Sequence, residues 1–258
     1  MITSSQNPKI KLVHALAGRP KERRESGAFI AEGTRLVEEA FSADWPFRFI
    51  LHAERLSPRS RALVLRLIAK GIESDLISEP LLRSISDTET SQGIVAVVDN
   101  MQLPMPQPLN FILIPDSIRD PGNLGTLLRT AAAAGVQAVL IPPETSDPYA
   151  PKVVRAGMGA HFRLPIQITS WEEIQKFVTE NKLKAFLADA NGESCWEKDL
   201  RQPLVLLVGG EAEGASPTAR NLATATVSIP MPGKAESLNA AVAGGVLMFE
   251  VVRQRRQA

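Results

Sequence analysis

Three short stretches place glycines and polar side chains directly after apolar runs, where they could hold a ligand. In the first, PDSIRDPGNLGTLLR, Asn123 precedes Arg129 by six residues. In the second, LVGGEAEG, two glycines precede Glu211, and the third, IPMPGKAESLN, ends in Ser237 and Asn239. Glycine lets a backbone approach a ligand closely, the arginine fork matches phosphate, and an acidic loop favours a cationic ligand over phosphate. These residue types could hold a cationic ligand close to a phosphate.

Each stretch also has an ordinary interpretation: a capped turn, a strand-to-helix connection with solvated glutamates, and a packed helix of small residues. We expect Asn123 to cap the helix that follows it. Six residues do not return to one helical face, so Asn123 and Arg129 can converge only if Asn123 acts from the loop. The glycines of the second stretch fit neither the dinucleotide fingerprint nor a P-loop. A nucleotide-dependent dehydrogenase or kinase is therefore disfavoured.

The three stretches lie in a region where strands alternate with helices. This alternation predicts a mostly parallel sheet covered on both faces, whose ligands bind beyond the carboxyl ends of the strands. The predicted elements are strands at 111–114, 138–141, 185–188, 204–208 and 227–229, and helices at 124–134, 171–181 and 237–255.

The N-terminal part also has an α/β pattern, and a proline-rich segment separates it from the rest. Prolines at alternate positions in NMQLPMPQPL exclude a helix or a central strand, so we expect a first domain at 1–99, a linker at 100–109 and a second domain at 110–258. The predicted N-terminal elements are helices at 8–17, 34–41 and 60–70 and β segments at 48–52 and 93–98.

Composition limits the class of protein. The chain has 258 residues, of which 44% are hydrophobic and 22% charged, and its net charge is +1. Residues 1–24 and 48–70 each carry six basic side chains against one acid, an arrangement that suits either a phosphate-binding surface or a solvated helix face. No apolar run approaches the length of a membrane span, and the N-terminus lacks a signal peptide's apolar core. With one cysteine, Cys195, we expect a packed thiol and a cytoplasmic protein.

Together, the three stretches resemble the SpoU (TrmH) family of RNA 2′-O-methyltransferases. The family pattern N-x-G-x-x-x-R-T-A is matched from Asn123, a Gly-x-Glu loop from Gly209, and I-P-M-x-G-x-x-x-S-L-N from Ile229. Two departures, Ala212 and Ala240, are small residues. The stretches SSQNPK and FIAEGTR also resemble the ribosomal-protein-like substrate-binding domain of some members.

The resemblance implies a SPOUT-type parallel sheet with a deep trefoil knot, S-adenosylmethionine as cofactor, an RNA substrate and a homodimer formed through the C-terminal domain. The implied catalytic residues are Asn123, Arg129, Glu211, Ser237 and Asn239. The implied cofactor-binding residues are Gly209, Gly210, Ile229, Met231 and Leu238. For the RNA we add the basic residues Lys9, Lys11, Arg23, Arg24 and Arg35. The scattered histidines His14, His52 and His161 predict no metal site.

Methyl transfer to a hydroxyl requires alignment, removal of a proton and exclusion of water. Arginine stays protonated in proteins, so we interpret Arg129 as an electrostatic clamp on phosphate and developing alkoxide. The proton acceptor stays open between Arg129 in an unusual state, a phosphate oxygen and water. Ribosomal RNA is favoured as the substrate; a transfer RNA methylase or an inactive RNA-binding module of the same fold are the alternatives.

The apolar residues of the terminal helix predict how the dimer would form. Leu238, Val242, Val246 and Phe249 would face the sheet of their own domain, and Leu247, Met248, Val251 and Val252 would widen the apolar surface for a second chain. Gly244 and Gly245 would let that chain come close. Burial of the whole helix inside its own domain is the alternative.

Overall fold

The computed structural model describes residues 1–86, 88, 90–210, 214–233 and 237–256. Its internal contacts divide the chain into two units. The first consists of Met1–Met101 together with Tyr149–Phe162, and the second of Gln102–Pro148 together with Arg163–Ala258. Residues 100–110, between the last strand of the N-terminal region and the next strand, contain no helix or strand.

The first unit is built around a four-stranded mixed sheet. Its N-terminal elements are α1 (Pro8–Gly18), α2 (Pro20–Ser26), β1 (Ala28–Glu32), α3 (Thr34–Ser42), β2 (Phe47–His52), α4 (Pro58–Ala69), β3 (Ser74–Leu76), α5 (Glu79–Ile85) and β4 (Ile94–Asp99). The strand order is β1-β4-β2-β3, with β4 antiparallel to both of its neighbours and β3 parallel to β2. The predicted α/β character of this region is confirmed.

The second unit is a parallel sheet with helices. Its elements are β5 (Phe111–Asp116), α6 (Pro121–Ala133), β6 (Ala138–Ile141), β7 (Ile166–Ile168), α8 (Trp171–Glu180), β8 (Lys184–Ser194), β9 (Leu204–Gly209), α9 (Pro217–Leu222), β10 (Ala225–Ser228) and α10 (Ala240–Arg256). Between β6 and β7 the chain forms α7 (Pro151–Gly157) and a 3-10 turn (Ala160–Phe162), which belong to the first unit. The strand order is β10-β8-β9-β5-β6-β7, and every pairing is parallel.

The central strands of this sheet explain its architecture. All six residues of β5 are buried, and β9 is buried up to its last residue, Gly209. Continuous apolar strands need cover on both faces, as in parallel sheets with crossover helices. Because the strands run in one direction, the segments that follow β8, β9 and β10 emerge at one edge, as the sequence predicted. The trefoil knot stays a prediction.

The segment Tyr149–Phe162 was assigned to the C-terminal domain from the sequence, but its contacts place it in the first unit. Phe29 of β1 stacks on Phe162 with ring centroids 6.0 Å apart and lies 5.2 Å from the ring of Tyr149. Trp45 meets Phe162 edge to face. Such aromatic contacts have no short-range sequence signal, because their partners lie more than 100 residues apart.

The inner and outer apolar faces of helix α10 are the reverse of the predicted ones. The residues expected to face the sheet, Leu238, Val242, Val246 and Phe249, are exposed, the last three between 41% and 51%. The inner face is formed by Leu247, Met248 and Val251, which are almost completely buried. Gly244 belongs to this inner face, since a Cβ there would lie 2.5 Å from Leu127 Cδ2 of α6. It therefore serves packing within the chain and not the approach of a partner.

Cys195 is a free, fully buried thiol, as predicted. Burial, reinforced by the nearby Glu250 carboxylate, raises the pKa of this thiol, so it stays protonated near neutral pH. Within the described parts of the chain, no helix is long and apolar enough to cross a membrane. The same residues contain no cluster of three metal-binding side chains.

Candidate functional site

A cavity of about 480 Å³ opens at the carboxyl edge of the second unit's sheet. Its walls come from residues 188–190 of β8, which follow the part paired with β9, and from the ends of β9 and β10. Residues 237–239, which lead into α10, and the first turns of that helix complete them. These are the positions at which a parallel sheet presents its loops. Volumes of about 300–1,000 Å³ are typical of sites for small molecules.

Seven of the ten residues assigned to the site from the sequence line this cavity. They are Gly209, Gly210, Ile229, Met231, Ser237, Leu238 and Asn239. The five residues expected to bind the cofactor are all among them. That they bind it stays a prediction, but the structure brings together residues separated by up to 30 positions in the sequence.

Asn239 connects the third stretch to the first. Its Oδ1 accepts hydrogen bonds from the backbone amides of Ala241 (2.9 Å) and Val242 (3.2 Å), so it caps the start of α10. Its Nδ2 donates to Oδ1 of Asn123 over 3.0 Å. One asparagine thus orients another across 116 residues of sequence, and the pair fixes α6 relative to the entrance of α10.

Asn123 does not cap α6, which corrects the expectation from the sequence. Helix α6 begins two residues earlier, at Pro121, and Asp120 is its cap: Oδ1 accepts the amide of Asn123 over 2.8 Å. Asn123 is therefore the third residue of the helix. Proline in the first helical position and an aspartate before it are both typical of helix starts.

Arg129 lies on the same helix as Asn123 but on another face. Six residues correspond to about 1.7 turns, so the two side chains leave the axis roughly 120° apart. Arg129 is exposed, does not line the cavity, and makes no hydrogen bond or ion pair with another described residue. The structure therefore brings Asn123 to Asn239 but leaves Arg129 outside the site formed by this single chain. Glu211, the remaining predicted catalytic residue, lies outside the described residues.

The glycines of the second stretch have a packing role in addition to the expected one at the cofactor. A Cβ on Gly209 would lie 2.5 Å from the backbone nitrogen of Ala215, and one on Gly210 would lie 2.5 Å from the carbonyl oxygen of Ser117. Real Cβ atoms do not approach backbone this closely. Both glycines are required because neighbouring backbone segments touch them, and these contacts shape the cavity wall.

Two charged residues of the cavity were not predicted from the sequence. Asp189 follows the buried part of β8, and its Oδ2 accepts a hydrogen bond from Nη1 of Arg220 over 2.8 Å. The backbone amide of Asn191 and the Arg220 guanidinium together lower the pKa of Asp189. Asp189 directly follows the strand predicted at 185–188, so the strand-end rule could have identified it, although β8 itself continues to Ser194.

Asp116 at the end of β5 is a further buried carboxylate, only 1% exposed. Its Oδ2 accepts the backbone amide of Ser216 over 2.6 Å, and its Oδ1 accepts the hydroxyl of Ser117 over 3.2 Å. It thereby joins the loop after β5 to the start of α9. We assign it to shaping the cavity and not to contact with a ligand, because it does not line the cavity.

The basic residues predicted to bind RNA divide into two groups. Arg23 is 5% exposed and donates to the carbonyl oxygen of Leu16, and Lys9 is held by Asp75 and Glu73. Burial acts to lower the pKa of Lys9, but hydrogen bonds to the two carboxylates outweigh it and raise the pKa. Both side chains hold the first unit together, which corrects their assignment. The other three, Lys11, Arg24 and Arg35, are exposed.

Residues 110–249 match the SpoU rRNA methylase family, and residues 7–96 match the MRM3-like substrate binding domain. The chain belongs to the SpoU rRNA methylase family. The predicted family and the class of fold are thereby confirmed.

Similar proteins cover nearly the whole chain. An uncharacterized tRNA/rRNA methyltransferase of Synechocystis is 34% identical over 98% of this chain and 94% of its own length. The 23S rRNA guanosine 2′-O-methyltransferase RlmP of Bacillus subtilis is 31% identical over 97% and 98%. The crystal structure of the SpoU methyltransferase AviRb of Streptomyces viridochromogenes with AdoMet superposes with a TM-score of 0.85, at 31% identity, over 98% of this chain and all of that one.

Proposed function

We propose that this chain transfers a methyl group from S-adenosylmethionine to a ribose 2′-hydroxyl of ribosomal RNA. The observation that carries the proposal is the cavity at the carboxyl edge of the parallel sheet, where residues of the second and third family motifs converge. The first motif joins them through the hydrogen bond between Asn123 and Asn239. RlmP acts on 23S rRNA and AviRb was crystallised with AdoMet, which supports both the substrate class and the cofactor.

The cavity fits the cofactor in size and chemistry. Backbone segments that follow β9 and β10 present peptide groups, which can bind the adenine and ribose, and Ile229, Leu238 and Leu247 supply apolar surface. The carboxylate of Asp189 and the guanidinium of Arg220 supply charges of both signs for a zwitterionic amino acid moiety. The bound cofactor supplies an electrophilic methyl group on a cationic sulfur.

The chain's own residues must align the 2′-hydroxyl, stabilise charge and exclude water. Ser237 and Asn239 stand at the cavity where they can position the ribose, and Asn123 fixes Asn239. The exposed fork of Arg129 suits the phosphate next to the reacting ribose. The acceptor of the hydroxyl proton stays open between Arg129, a phosphate oxygen and water.

The separation of Arg129 from the cavity supports a homodimer through the C-terminal unit. Helices α6 and α10 pack side by side; α6 exposes Arg129, and α10 exposes Val242, Val246 and Phe249. An uncovered apolar stripe that begins beside the cavity at Leu238 marks an association surface. A second copy, related by a twofold axis, would use the same stripe on both chains and could bring its Arg129 to this cavity.

Sedimentation equilibrium tests the dimer. The full chain is expected to sediment as a dimer at micromolar concentration. Val246→Glu should give a monomer that still binds S-adenosylmethionine and has lost methyl transfer. A monomeric and active wild-type chain would rule out the shared site.

Mapping of ribose methylation tests the reaction itself. Ribosomal and transfer RNA from cells with and without the gene are compared, and one ribosomal 2′-O-methyl group should depend on it. Loss of a transfer RNA methyl group instead would favour the tRNA alternative. Calorimetric binding of S-adenosylmethionine without transfer to any RNA would indicate an inactive RNA-binding module.

A further inference from the structure

The first unit contains a second concave site, a cleft of about 740 Å³. It lies where α3, α4 and β4 begin, and the beginning of α5 contributes one side. Four arginines line it: Arg35, Arg55, Arg59 and Arg83. By comparison, Arg220 is the one cationic side chain among the described residues that line the cavity of the second unit.

Three of these four arginines have guanidinium groups that no described acidic side chain neutralises. Arg59 forms a double hydrogen bond with the carboxylate of Glu38, which neutralises it. Arg35, Arg55 and Arg83 are exposed, and none of them makes a hydrogen bond or ion pair with another described residue. Glu79 is the one acidic residue among those that line the cleft in the described part of the chain. The cleft therefore holds an excess of positive charge, which attracts anions.

The interior of the cleft is polar and held in place. The hydroxyls of Thr34 and Ser60, both nearly buried, are 2.7 Å apart in a hydrogen bond, and Ser57 extends the chain of hydroxyls by a contact of 2.8 Å. Oε1 of Gln92 accepts the backbone amide of Thr34 over 2.8 Å, which ties the start of β4 to the start of α3. The Gln92 amide nitrogen has no partner among the described residues.

This combination selects one form of nucleic acid. An A-form duplex is too wide to enter a cleft of this volume and presents its phosphates on a convex surface. An unstacked nucleotide can: its phosphates meet arginine forks, its base can stack on a guanidinium plane, and its edge can hydrogen-bond to hydroxyl and amide groups.

We propose that the cleft defined by Arg35, Arg55 and Arg83 binds an unpaired stretch of the substrate RNA, with one unstacked nucleotide inside it. The inference rests on the proposed function, because it takes RNA as the substrate. Of the residues expected from the sequence to bind RNA, Arg35 belongs to this cleft. Arg55 and Arg83 take the place of Lys9 and Arg23, which hold the first unit together.

The test compares two RNA probes on the full chain. One is a short unpaired oligonucleotide of mixed sequence and the other a blunt RNA duplex of the same length, both fluorescently labelled. The triple variant Arg35→Ala/Arg55→Ala/Arg83→Ala should bind the unpaired probe at least tenfold more weakly. The salt slope of log affinity should decrease by about 2, since each phosphate contact to a single strand contributes about 0.7. Duplex binding should be unchanged.

Arg61→Ala is the matched control, because Arg61 is an exposed arginine of α4 outside the cleft. Equal thermal stability of all variants will show that the fold is kept. The proposal is overturned if the triple variant binds the unpaired probe as Arg61→Ala does, or if the duplex loses as much affinity as the single strand.

Methyl transfer to ribosomal RNA separates this proposal from the proposed function. The triple variant should raise KM for RNA and leave kcat and the affinity for S-adenosylmethionine unchanged. If the wild-type chain binds no S-adenosylmethionine and methylates no RNA, the proposed function is wrong whatever the arginines do. If the wild type is active and the triple variant matches it in KM, only the assignment of the cleft is wrong.

Discussion

The cavity of the second unit and the arginine cleft of the first unit are lined by different kinds of chemical group. The cavity of the second unit is formed largely by backbone and small residues, such as Gly209 and Gly210, and it contains an ion pair between Asp189 and Arg220. The cleft of the first unit is formed by long cationic side chains over a floor of hydroxyls. The former suits a small ligand held at many points, and the latter a flexible polyanion.

This difference predicts opposite sensitivities. A wall of touching backbone segments tolerates no added atoms, but removal of a side chain changes it little. A cleft whose affinity comes from charge tolerates added methyl groups and loses affinity with each guanidinium removed. Substitutions in the two sites should therefore separate into effects on cofactor binding and turnover and effects on RNA affinity.

The largest expected effect is that of Arg129→Ala. Since Arg129 is an exposed cation outside the cavity and is proposed to clamp the phosphate, its loss should lower kcat by a factor of about 100 to 1,000, as does loss of a single electrostatic donor elsewhere. Affinity for S-adenosylmethionine should stay within about twofold. Arg129→Lys should also be inactive, because a point charge does not replace the fork. Near-normal turnover in either variant would contradict the proposed role.

The next effect concerns the cavity wall. Gly209→Ala places a Cβ 2.5 Å from the backbone of Ala215, and such overpacking costs about 1–3 kcal/mol. We expect the affinity for S-adenosylmethionine, measured by calorimetry, to fall by at least tenfold. Gly18→Ala is the control, since Gly18 lies in the first unit and a Cβ there meets nothing within 4 Å. Similar affinities in the two variants would show that backbone contact does not form this wall.

Sequence periodicity predicted the elements of the second unit better than their faces. The strands at 111–114 and 204–208 were recognised because continuous apolar runs are typical of buried parallel strands. The inner and outer faces of α10 were exchanged, because both carry apolar residues at helical spacing and only packing against α6 distinguishes them. Asn123 was assigned as a cap because asparagine is common there, but Asp120 competes for the same position.

The site was predictable where a motif specifies it and not where side chains meet over long distances. Seven of the residues assigned from the second and third motifs line the cavity, among them Gly209 and Asn239. Strand β1 and the segment Tyr149–Phe162 were not recognised as partners, because their contact depends on aromatic packing. The arginine cleft was missed for the same reason: Arg35, Arg55 and Arg83 come from three separate segments. Charge counting found the basic regions, but only the fold shows which of their side chains are already neutralised.

A smaller effect, on the stability of the fold, is expected when a methyl group is added at either of two neighbouring glycines of α10. A Cβ at Gly244 would lie 2.5 Å from Leu127 Cδ2 and 3.3 Å from Val208, whereas one at Gly245 would make an ordinary contact of 3.5 Å with Thr130. Gly244→Ala should therefore lower the free energy of unfolding by about 1–3 kcal/mol. Gly245→Ala should raise it by up to about 1 kcal/mol, because alanine favours helix. Urea denaturation measures both, and equal changes would argue against the close packing.

The smallest expected effect concerns the ion pair between Asp189 and Arg220, which should make the affinity for S-adenosylmethionine independent of pH near neutrality. Because the amide of Asn191 and the Arg220 guanidinium lower the pKa of Asp189 below its ordinary value of 3.8, the carboxylate is ionised at every pH well above that value. A depressed pKa gives a contribution that is complete above the unfolded value and is lost as the pH falls through the folded one. Between about pH 5.5 and 8, Asp189 should therefore cause no change in affinity for S-adenosylmethionine. Asp189→Asn should weaken binding by a similar factor at both ends of this range, since it removes the charge that orients Arg220. A loss of wild-type affinity towards pH 5.5 that Asp189→Asn abolishes would show that this carboxylate titrates there and that the ion pair is weaker than its geometry indicates.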